Sequence, residues 1–588
     1  MRIDRLQITN FRNFKALDVR LETHAVIVGE NRAGKSNLLH ALRLLLDPSL
    51  PDTARQLREE DFWDGLPRPL TPEDRITISV DFADFEDNEE QLASLAEHLI
   101  SPEPMIARLT YVFERVAGSD DPNDCDFSIY GGDRPENFVH SEIRRRLPLD
   151  LLPALRDAEG DLSNRRRSPL GALLDQGVAD TDAGALEDIG GQVTEATTAL
   201  TELPPIKELS DDVTARLVSM VGSSHAGDFQ LGVGPTDPQR LIRALRPLID
   251  EGRRGIGEAS LGSSSLIYLA LKSLEFDLLV DEGRRDHTFL GIEEPEAHLH
   301  PHLQRLTFRH FLEQRGAGGN TTILLTTHSP HIVSVAPLRT LVVLRRAADG
   351  ESTEAVSTAR VQLTDDDVAD LERYLDVTRG EIVFSRGVLL VEGDAEKFLV
   401  PKLAELNGFN LDELGITVCS VAGTNFLPYT KFLGATGLQI PHAVITDFDL
   451  KNNLSYGAGR VRDLLQSIGH PVSAASSSDS DQIRTRGAQH GFFLNSSTFE
   501  LELFRGGRHK SMTDTLSALT NVNVARQRAR QWHDDPASLD EARFLADITE
   551  IGKGRFAQRL ASVISTMKST ACPDYIKQAI TYVAERVR

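Results

Sequence analysis

The chain has 588 residues, of which 40% are hydrophobic and 26% charged, enough for roughly three or four soluble domains. No apolar run approaches the ~18 residues of a membrane span, and the three cysteines lack the spacing of a disulfide framework, which favours a cytoplasmic protein. The net charge is −24, yet residues 381–588 carry 23 basic and 23 acidic side chains. The acidic excess therefore lies in residues 1–380, and we expect two portions with different functions.

The first elements predict an α/β fold. IDRLQITNFRNF alternates like a strand, HAVIVGEN is typical of a short buried strand, and SNLLHALRLLLD has helical spacing. Helical runs with acidic, glycine-rich links between residues 141 and 235 predict an inserted helical element that forms a dimer interface. Strand–helix alternation resumes at 236–375, so that residues 1–140 and 236–375 form one head. A second βα series begins at residue 380 and continues to residue 588.

A phosphate-binding loop is predicted between the second strand and the first helix. GENRAGKS fits the pattern G-x-x-x-x-G-K-S/T, in which backbone N–H groups cradle phosphate oxygens. Lys35 then reaches the terminal phosphates, and the Ser36 hydroxyl ligates Mg²⁺. The predicted nucleotide-binding residues of this loop are Gly29, Asn31, Gly34, Lys35, Ser36 and Asn37.

Three later motifs complete the predicted ATP site. TFLGIEEPEAHLHP is an apolar strand that ends at Glu293, suited to the Mg²⁺ shell, and Glu294, suited to orient the attacking water. TILLTTHSP places His328 at the end of another strand, within reach of a γ-phosphate. The serine- and glycine-rich turn SLGSSS precedes an apolar helix, and its N–H groups suit a phosphate from a second protomer. The residues predicted for that role are Ser260, Gly262 and Ser263.

Two other patterns favour ordinary structural roles or stay open. The triplet His298, His300 and His302 invites a zinc interpretation, but its spacing differs from a helical histidine pair and no cysteine lies nearby. The strip VARQRARQW contains Arg526, Arg528, Arg530 and Trp532. It is either a solvated helix face or a strip that contacts DNA phosphates.

Acidic residues follow two apolar strands in the C-terminal portion. GVLLVEGDAE ends its strand at Glu392, and one helical turn brings Glu396 back toward the same end. AVITDFD ends at Asp447 and Asp449, which alternation would place on one face, about 7 Å apart. Parallel strands bring their carboxyl ends to one edge, so four carboxylates would converge there. Divalent cations relieve that repulsion, and hard oxygen ligands favour Mg²⁺ or Mn²⁺.

Two further segments supply candidates for the same site. FFLNSSTFELELF offers Ser497, with Glu500 and Glu502 on one face if the segment is a strand; Glu500 is the preferred ligand. EIGKGRF places Lys553 between two glycines at a helix start, where a lysine can stabilise charge on a phosphate in transfer.

These motifs carry a family resemblance. GENRAGKS, SLGSSS, GIEEPEAHLHP and TTHSP, in this order, resemble ABC-type ATPases of the chromosome-maintenance and recombination-repair kind, although Glu293 stands where that group usually has aspartate. The pattern E-G, then D-x-D, then an acidic segment resembles the Toprim domain, a Rossmann-like fold. Together with EGDAE and the late KG, the chain resembles the OLD (overcoming lysogenization defect) family of nucleases.

The resemblance implies roles and partners. Two metal ions about 4 Å apart would hold the attacking water and the leaving oxygen of a phosphodiester. It implies as their ligands Glu392, Glu396, Asp447, Asp449, Ser497 and Glu500. Lys553 would be the cation that stabilises the transition state. Binding of ATP with Mg²⁺ would control the access of DNA to the metal site. It also implies a homodimer or tetramer and a role in bacterial phage defence, in some members beside a UvrD-like helicase.

Two alternatives remain at this point. One is an ATP-driven DNA-binding or repair clamp whose Toprim domain is inactive, which the complete set of carboxylates with Lys553 disfavours. The other is a topoisomerase or primase. Tyr374, Tyr429 and Tyr456 lack the context of a cleavage domain, and the zinc and helicase-binding modules of a primase are not found in the sequence.

Overall fold

The computed structural model describes most of the chain. The described ranges are 1–71, 73–116, 124–154, 158–163, 168–179, 181–223, 229–232, 241–242, 244–314, 319–347, 349–374, 380–451, 454–471, 479–565 and 570–587. They divide into two compact units, the first made of Met1–Ala154 with His287–Arg588 and the second of Leu155–Asp286. Within these ranges, no helix is both long enough and apolar enough to cross a membrane.

The strands are numbered along the chain. They are β1 Arg2–Phe11, β2 Phe14–Arg20, β3 Ala25–Gly29, β4 Arg75–Ala83, β5 Leu99–Pro102, β6 Met105–Arg115, β7 Cys125–Gly131, β8 Leu149–Leu152, β9 Leu248–Ile249, β10 Arg254–Gly255, β11 Thr288–Glu293, β12 Thr321–Thr327, β13 Leu341–Arg346, β14 Thr353–Ser357, β15 Gly387–Val391, β16 Ile416–Ser420, β17 His442–Thr446, β18 Leu450–Lys451, β19 Leu454–Ser455 and β20 Phe492–Leu494.

The α-helices are numbered in the same way. They are α1 Lys35–Leu46, α2 Asp52–Arg55, α3 Glu89–Leu95, α4 Ser141–Arg146, α5 Ala158–Ser163, α6 Pro169–Ala179, α7 Ala183–Thr198, α8 Pro204–Val221, α9 Leu261–Asp281, α10 Pro301–Gln314, α11 Pro330–Val333, α12 Asp365–Tyr374, α13 Asp394–Leu406, α14 Leu427–Leu433, α15 Tyr456–Ser467, α16 Asp479–Gln489, α17 Phe499–Leu503, α18 His509–Leu519, α19 Asn523–Asp534, α20 Glu541–Ile551, α21 Lys553–Ser565 and α22 Asp574–Val587.

Two sheets form the N-terminal head of the first unit. An antiparallel sheet has the order β2-β1-β4-β6-β5, with β7 on β6, and a second sheet has the order β14-β13-β3-β12-β11-β8. In the second sheet β3 pairs in parallel with both β12 and β13, and β11 pairs in parallel with β12. Both faces of β3 are buried, which explains its unbroken apolar run AVIVG, since parallel strands are covered on both sides. One core joins the two sheets to α1.

A four-stranded parallel sheet forms the C-terminal part of the same unit. Its order is β16-β15-β17-β20, so the strands that precede the EGDAE and D-x-D motifs are direct neighbours. All five residues of β15 are buried. The helices α13, α21 and α22 share one hydrophobic core with this sheet. The predicted convergence of two strand ends therefore rests on direct pairing.

The second unit is mainly helical. It contains α5 to α9 with the short hairpin of β9 and β10, and α9 packs on α5 and α6. The predicted insert covered residues 141–235, whereas this unit begins at Leu155 and ends at Asp286. The apolar helix after SLGSSS, α9, is thus part of the same compact unit as the inserted helices.

One local expectation about the C-terminal portion is corrected, and part of the strip whose role was left open is placed. Residues 499–503 form the helix α17 and not a strand, so Glu500 and Glu502 do not share a face. Arg528 makes paired hydrogen bonds to the buried Asp547 at 2.6 and 3.0 Å, and Trp532 is in the core. The strip VARQRARQW therefore uses one of its arginines and its tryptophan for packing, because α19 lies against α20.

Two buried histidines beside β12, His24 and His287, will destabilise the fold in acid. Burial lowers the pKa of His24 to about 4 and that of His287 to about 3. The unfolded chain takes up these protons below pH 6.5 but the folded chain does not, so stability is full above that pH and falls toward pH 4, by about 1.4 kcal/mol per pH unit for each histidine.

We predict that the thermal unfolding midpoint falls between pH 7 and pH 5, and that His287→Gln makes this slope shallower although it lowers the midpoint at pH 7. Differential scanning calorimetry measures both quantities. The exposed His310, on α10, provides a matched control: His310→Gln should leave the slope as in the parent chain. An unchanged slope in His287→Gln would contradict the assignment.

Candidate active site

The phosphate-binding loop lies between β3 and α1, as predicted. Gly34 has φ +90°, and a Cβ there would lie 2.1 Å from the side-chain nitrogen of Asn13, so only glycine fits. The Lys35 ammonium donates to the carbonyl oxygens of Gly29 at 3.1 Å and Glu30 at 3.3 Å. Lys35 is buried, whereas Ser36 and Asn31 are exposed at the loop surface.

The acidic turn after β11 faces this loop. Glu293 is in register with Thr326 of β12, and the Glu294 backbone is left-handed, with φ +42°. The imidazole of His328 lies 3.4 Å from the Glu294 carboxylate, so two of the predicted residues are in contact. Burial lowers the pKa of Lys35, and the negative charges of Glu294 and Glu296 oppose that effect. The lysine and the acidic turn thus share one electrostatic environment.

Three residues around this site escaped the sequence analysis. Glu296 accepts a hydrogen bond from the His328 backbone N–H at 2.6 Å. Asn13, in the turn between β1 and β2, accepts from the Asn37 amide at 2.6 Å. Arg12 donates to Asn37 at 2.9 Å. For Arg12 and Asn13 the sequence signal was the polar turn in NFRNF, whose distance along the chain from GKS hides the contact; Glu296 lies within the motif GIEEPEAHLHP.

Two other groups of predicted residues are placed locally. Ser260 caps α9, since its hydroxyl accepts from the Ser263 N–H at 3.2 Å, as a serine at a helix start should. His300 and His302 stack with ring centres 5.5 Å apart, and His302 also contacts Arg305 at 2.7 Å. No three histidine, cysteine or acidic side chains of the described ranges already form a metal-binding group, so the zinc interpretation gains no support.

The carboxyl ends of β15 and β17 form the centre of the second site. Glu392 follows β15, and its Oε1 accepts hydrogen bonds from the Thr446 hydroxyl at 2.6 Å and from the Asp447 N–H at 2.9 Å. Asp447 is the first residue after β17 and also accepts from the Asn495 amide at 2.5 Å. Glu396 is buried on the first turn of α13. The structure therefore brings Glu392 and Asp447 together, and Glu396 is near enough for its charge to act on Asp447.

Glu500 and Lys553 complete this cluster. Glu500 is buried in α17, and its Oε1 lies 2.9 Å from the ammonium of Lys553, the first residue of α21. Its Oε2 is buried without a hydrogen-bond partner. Glu502 instead bonds to Ser496, so α17 directs Glu500 inward and Glu502 away. The backbone carbonyl of Ser497 accepts a hydrogen bond from the backbone N–H of Phe448 at 3.1 Å, which ties the Ser497 loop to the D-x-D motif.

The electrostatics of the cluster reflect crowded like charges. Burial, and then the charges of Glu392, Glu396 and Glu500, raise the pKa of Asp447 well above its ordinary value. Burial also raises the pKa of Glu396 to about 7, with Glu392 and Glu500 adding to the shift. Burial lowers the pKa of Lys553, but Glu500, Asp447 and Glu396 outweigh it and the net shift is upward. The cluster favours additional positive charge.

Asp449 departs from the sequence expectation. The strand ends at Thr446 and Asp449 has φ +46°, so strand alternation does not place it beside Asp447. Its carboxylate instead lies 2.7 Å from the guanidinium of Arg460, which also lies 3.0 Å from Glu392. Sequence reasoning missed Arg460, one turn into α15, and Asn495. An arginine four residues after the helix start was the available signal for the first.

The residues of this cluster fit divalent ions. The donors are hard carboxylate oxygens, which suit Mg²⁺ or Mn²⁺, and the unpartnered Glu500 Oε2 is an acceptor that a cation would satisfy. Among the described residues, no three acidic side chains are already arranged as a group that could hold a metal ion. The reason is visible in the contacts: Arg460 and Lys553 draw carboxylates to either side, and Asn495 holds Asp447.

Comparison with known proteins identifies two domains in the chain. A family model of the AAA ATPase domain matches residues 1–126 and 151–333, more than half of the chain, and a model of the overcoming lysogenization defect protein-like TOPRIM domain matches residues 383–449. The chain belongs to the OLD family. The predicted order of an ATPase head followed by a Toprim domain is thereby confirmed. Domains of these two types work with ATP and divalent metal ions.

Individual relatives of this OLD family chain were found across most of its length. An OLD nuclease of Thermus scotoductus is 25% identical over 472 residues, covering 76% of this chain and 82% of the relative. The endonuclease GajA of Bacillus cereus is 24% identical over 479 residues, covering 77% and 76%. The solved C-terminal region of the Burkholderia pseudomallei OLD protein is 40% identical, covering 35% of this chain and 100% of that one, with a TM-score of 0.32.

The two aspartates of D-x-D should respond oppositely to loss of charge. Asp447→Asn removes one of several buried like charges and keeps an oxygen for Asn495, so we predict a rise in the thermal unfolding midpoint of about 2 °C in chelator. Asp449→Asn leaves Arg460 with one carboxylate fewer and should lower the midpoint. Scanning fluorimetry with EDTA checks both. A shift of both variants in the same direction would contradict the charge assignment.

Proposed function

We propose that this protein is an ATP-regulated, divalent-metal-dependent endonuclease that hydrolyses phosphodiester bonds of DNA. The observation that carries the proposal is the convergence of Glu392, Glu396, Asp447 and Glu500 with Lys553 at one edge of a parallel sheet. The relatives named OLD nuclease and endonuclease GajA add support. We also propose a cytoplasmic location, with which the three unpaired cysteines are consistent, and, from the family resemblance, a homodimer or tetramer.

The side chains divide the chemistry between them. Glu392, Glu396, Asp447 and Glu500 would hold the divalent ions, with Asp449 and Ser497 as further candidate ligands. Such ions supply activation of water and neutralisation of the leaving oxygen. Lys553 can place its ammonium on a non-bridging phosphate oxygen, because Glu500 is its only close ion-pair partner among the described residues and a second acceptor fits its geometry. It would then stabilise the negative charge that develops on the non-bridging phosphate oxygens during cleavage.

Contacts between the head and the Toprim sheet support ATP regulation. Arg345 of β13 is next to Leu344, which is in register with Gly29 of the phosphate-binding loop. Its guanidinium donates to the carbonyl oxygens of Leu438 at 3.0 Å and Gln439 at 2.8 Å. Residues 438–441 lead directly into β17, which ends at the D-x-D motif. A shift of the loop on nucleotide binding would reach the nuclease strands along this route.

A second contact runs to the neighbouring strand. Arg386, just before β15, lies 4.0 Å from the carboxylate of Glu30 in the phosphate-binding loop and donates to the carbonyl of Val587 at 2.9 Å. Since Glu392 directly follows β15, both strands that lead to nuclease carboxylates begin beside the ATP loop. We propose that the nucleotide state controls the nuclease edge through these strands and does not power the chemistry.

The nuclease proposal is tested with supercoiled plasmid and Mg²⁺ or Mn²⁺, with and without ATP. We expect nicking or linearisation by the parent chain, and a loss of at least about 100-fold in Asp447→Ala at every nucleotide concentration. Lys35→Ala should retain cleavage but lose the response to ATP. Equal cutting by Asp447→Ala and the parent chain would favour the alternative of a DNA-binding clamp with an inactive Toprim domain.

The coupling is tested by Arg345→Ala, with Arg346→Ala as the matched control on the same strand. Arg346 is exposed, and its side chain makes no hydrogen bond or ion pair with the described Toprim residues. We expect Arg345→Ala to bind ATP and cleave DNA while the ratio of cleavage with and without ATP moves to about 1. Arg346→Ala should keep the parent ratio. Equal ATP responses in the two variants would refute this route.

A further inference from the structure

Arg460 occupies a position inside the nuclease site that the metal ligands alone do not explain. One nitrogen, Nη2, has three oxygens within 3.0 Å: Oδ2 of Asp449 at 2.7 Å, the carbonyl of Asp447 at 2.8 Å and Oε1 of Glu392 at 3.0 Å. Its Nε donates to the Thr446 hydroxyl at 3.1 Å. The side chain is only 17% exposed. A fixed cation therefore lies where oxygens from β15 and β17 meet.

The fold places Arg460 there by a close helix approach. Ser455 caps α15 and donates to the Phe448 carbonyl at 2.7 Å, while the Gly457 N–H donates to the same carbonyl at 3.1 Å. A Cβ on Gly457 would lie 2.0 Å from the Asp447 carbonyl oxygen, so only glycine allows this approach. One turn later, Arg460 points back into the carboxylates.

We propose that Arg460 is a positioning residue that competes with a divalent cation for Asp449 and Glu392, and so sets the ion concentration at which the nuclease site fills. This inference rests on the proposed metal-dependent function. Its physical basis is electrostatic: the guanidinium already lies within 3.0 Å of oxygens of Asp449 and Glu392, so a divalent ion that binds these carboxylates must overcome the repulsion of a fixed positive charge.

Charge balance gives the competition a consequence for DNA. Five carboxylates, those of Glu392, Glu396, Asp447, Asp449 and Glu500, face the two cations Arg460 and Lys553, which formally leaves three negative charges. Two divalent ions would turn this into one positive charge, which suits a phosphodiester anion. With arginine replaced by a neutral residue, the same ions would only reach neutrality. Arg460 thus weakens ion binding and favours the anionic substrate.

The competition is tested by Mn²⁺ titration of the full chain without DNA, using calorimetry. Arg460→Gln should bind Mn²⁺ at least about fivefold more tightly than the parent chain, because the carboxylates lose their built-in cation. Arg460→Lys should fall between the two, since an ammonium keeps the positive charge but loses the planar set of guanidinium hydrogen-bond donors. Arg462 is exposed on the same helix, and within the described ranges its one ion-pair partner is the neighbouring Asp463, so Arg462→Gln should match the parent.

A thermal readout separates competition from a purely structural role. In EDTA, Arg460→Gln should melt below the parent chain, and added Mn²⁺ should raise its midpoint by more than it raises that of the parent. Equal or weaker Mn²⁺ binding in Arg460→Gln overturns the inference while leaving the metal-dependent nuclease in place. If the parent chain and Arg462→Gln bind no Mn²⁺ at all, the proposed function fails instead.

Discussion

The crowding of carboxylates at the carboxyl edge of the β15–β17 pair is the constraint around which the Toprim domain is built. Buried like charges are costly unless a cation or hydrogen-bond donor is near. Four of the carboxylates have such a neighbour: the amide of Asn495 contacts Asp447, the ammonium of Lys553 contacts Glu500, and the guanidinium of Arg460 contacts Glu392 and Asp449. These counter-groups come from the residue after β20 and from α21 and α15, so the helical additions provide electrostatic stabilisation as well as packing.

The ATPase head also places charged side chains at the carboxyl ends of parallel strands. There the parallel strands β3, β11 and β12 end side by side, and a lysine, an acidic turn and a histidine meet at their carboxyl ends. In both domains the main chain fixes the geometry first, and the side chains at strand ends then acquire chemistry. This follows the general rule that ligands of open α/β sheets bind beyond the carboxyl ends of the strands.

Local patterns predicted much of this. Apolar runs identified β3, β11, β12, β15 and β17, and the motifs at their ends identified Lys35, Glu294 and Asp447. What failed depended on contacts distant in sequence. Residues 499–503 alternate like a strand, yet Thr498 caps a helix there. Asp449 follows a strand by only three residues, but α15 docks on its loop and redirects it. Neither Arg460 nor Arg345 belongs to any motif, because each is defined by acceptors on another segment.

The positions of these two arginines also suggest how two active sites can share one chain without sharing a pocket. Arg345 holds the amino end of β17 and Arg460 the carboxyl end, so the strand is fixed by guanidinium groups at both of its ends. A five-residue strand is a short, stiff element of about 16 Å. In the proposed regulation, a displacement at the head would arrive at Asp447 largely undiminished, and a small movement relative to Glu392 would change the repulsion between these partly buried carboxylates. The electrostatic crowding that is costly for folding would then make the nuclease edge sensitive to the nucleotide state.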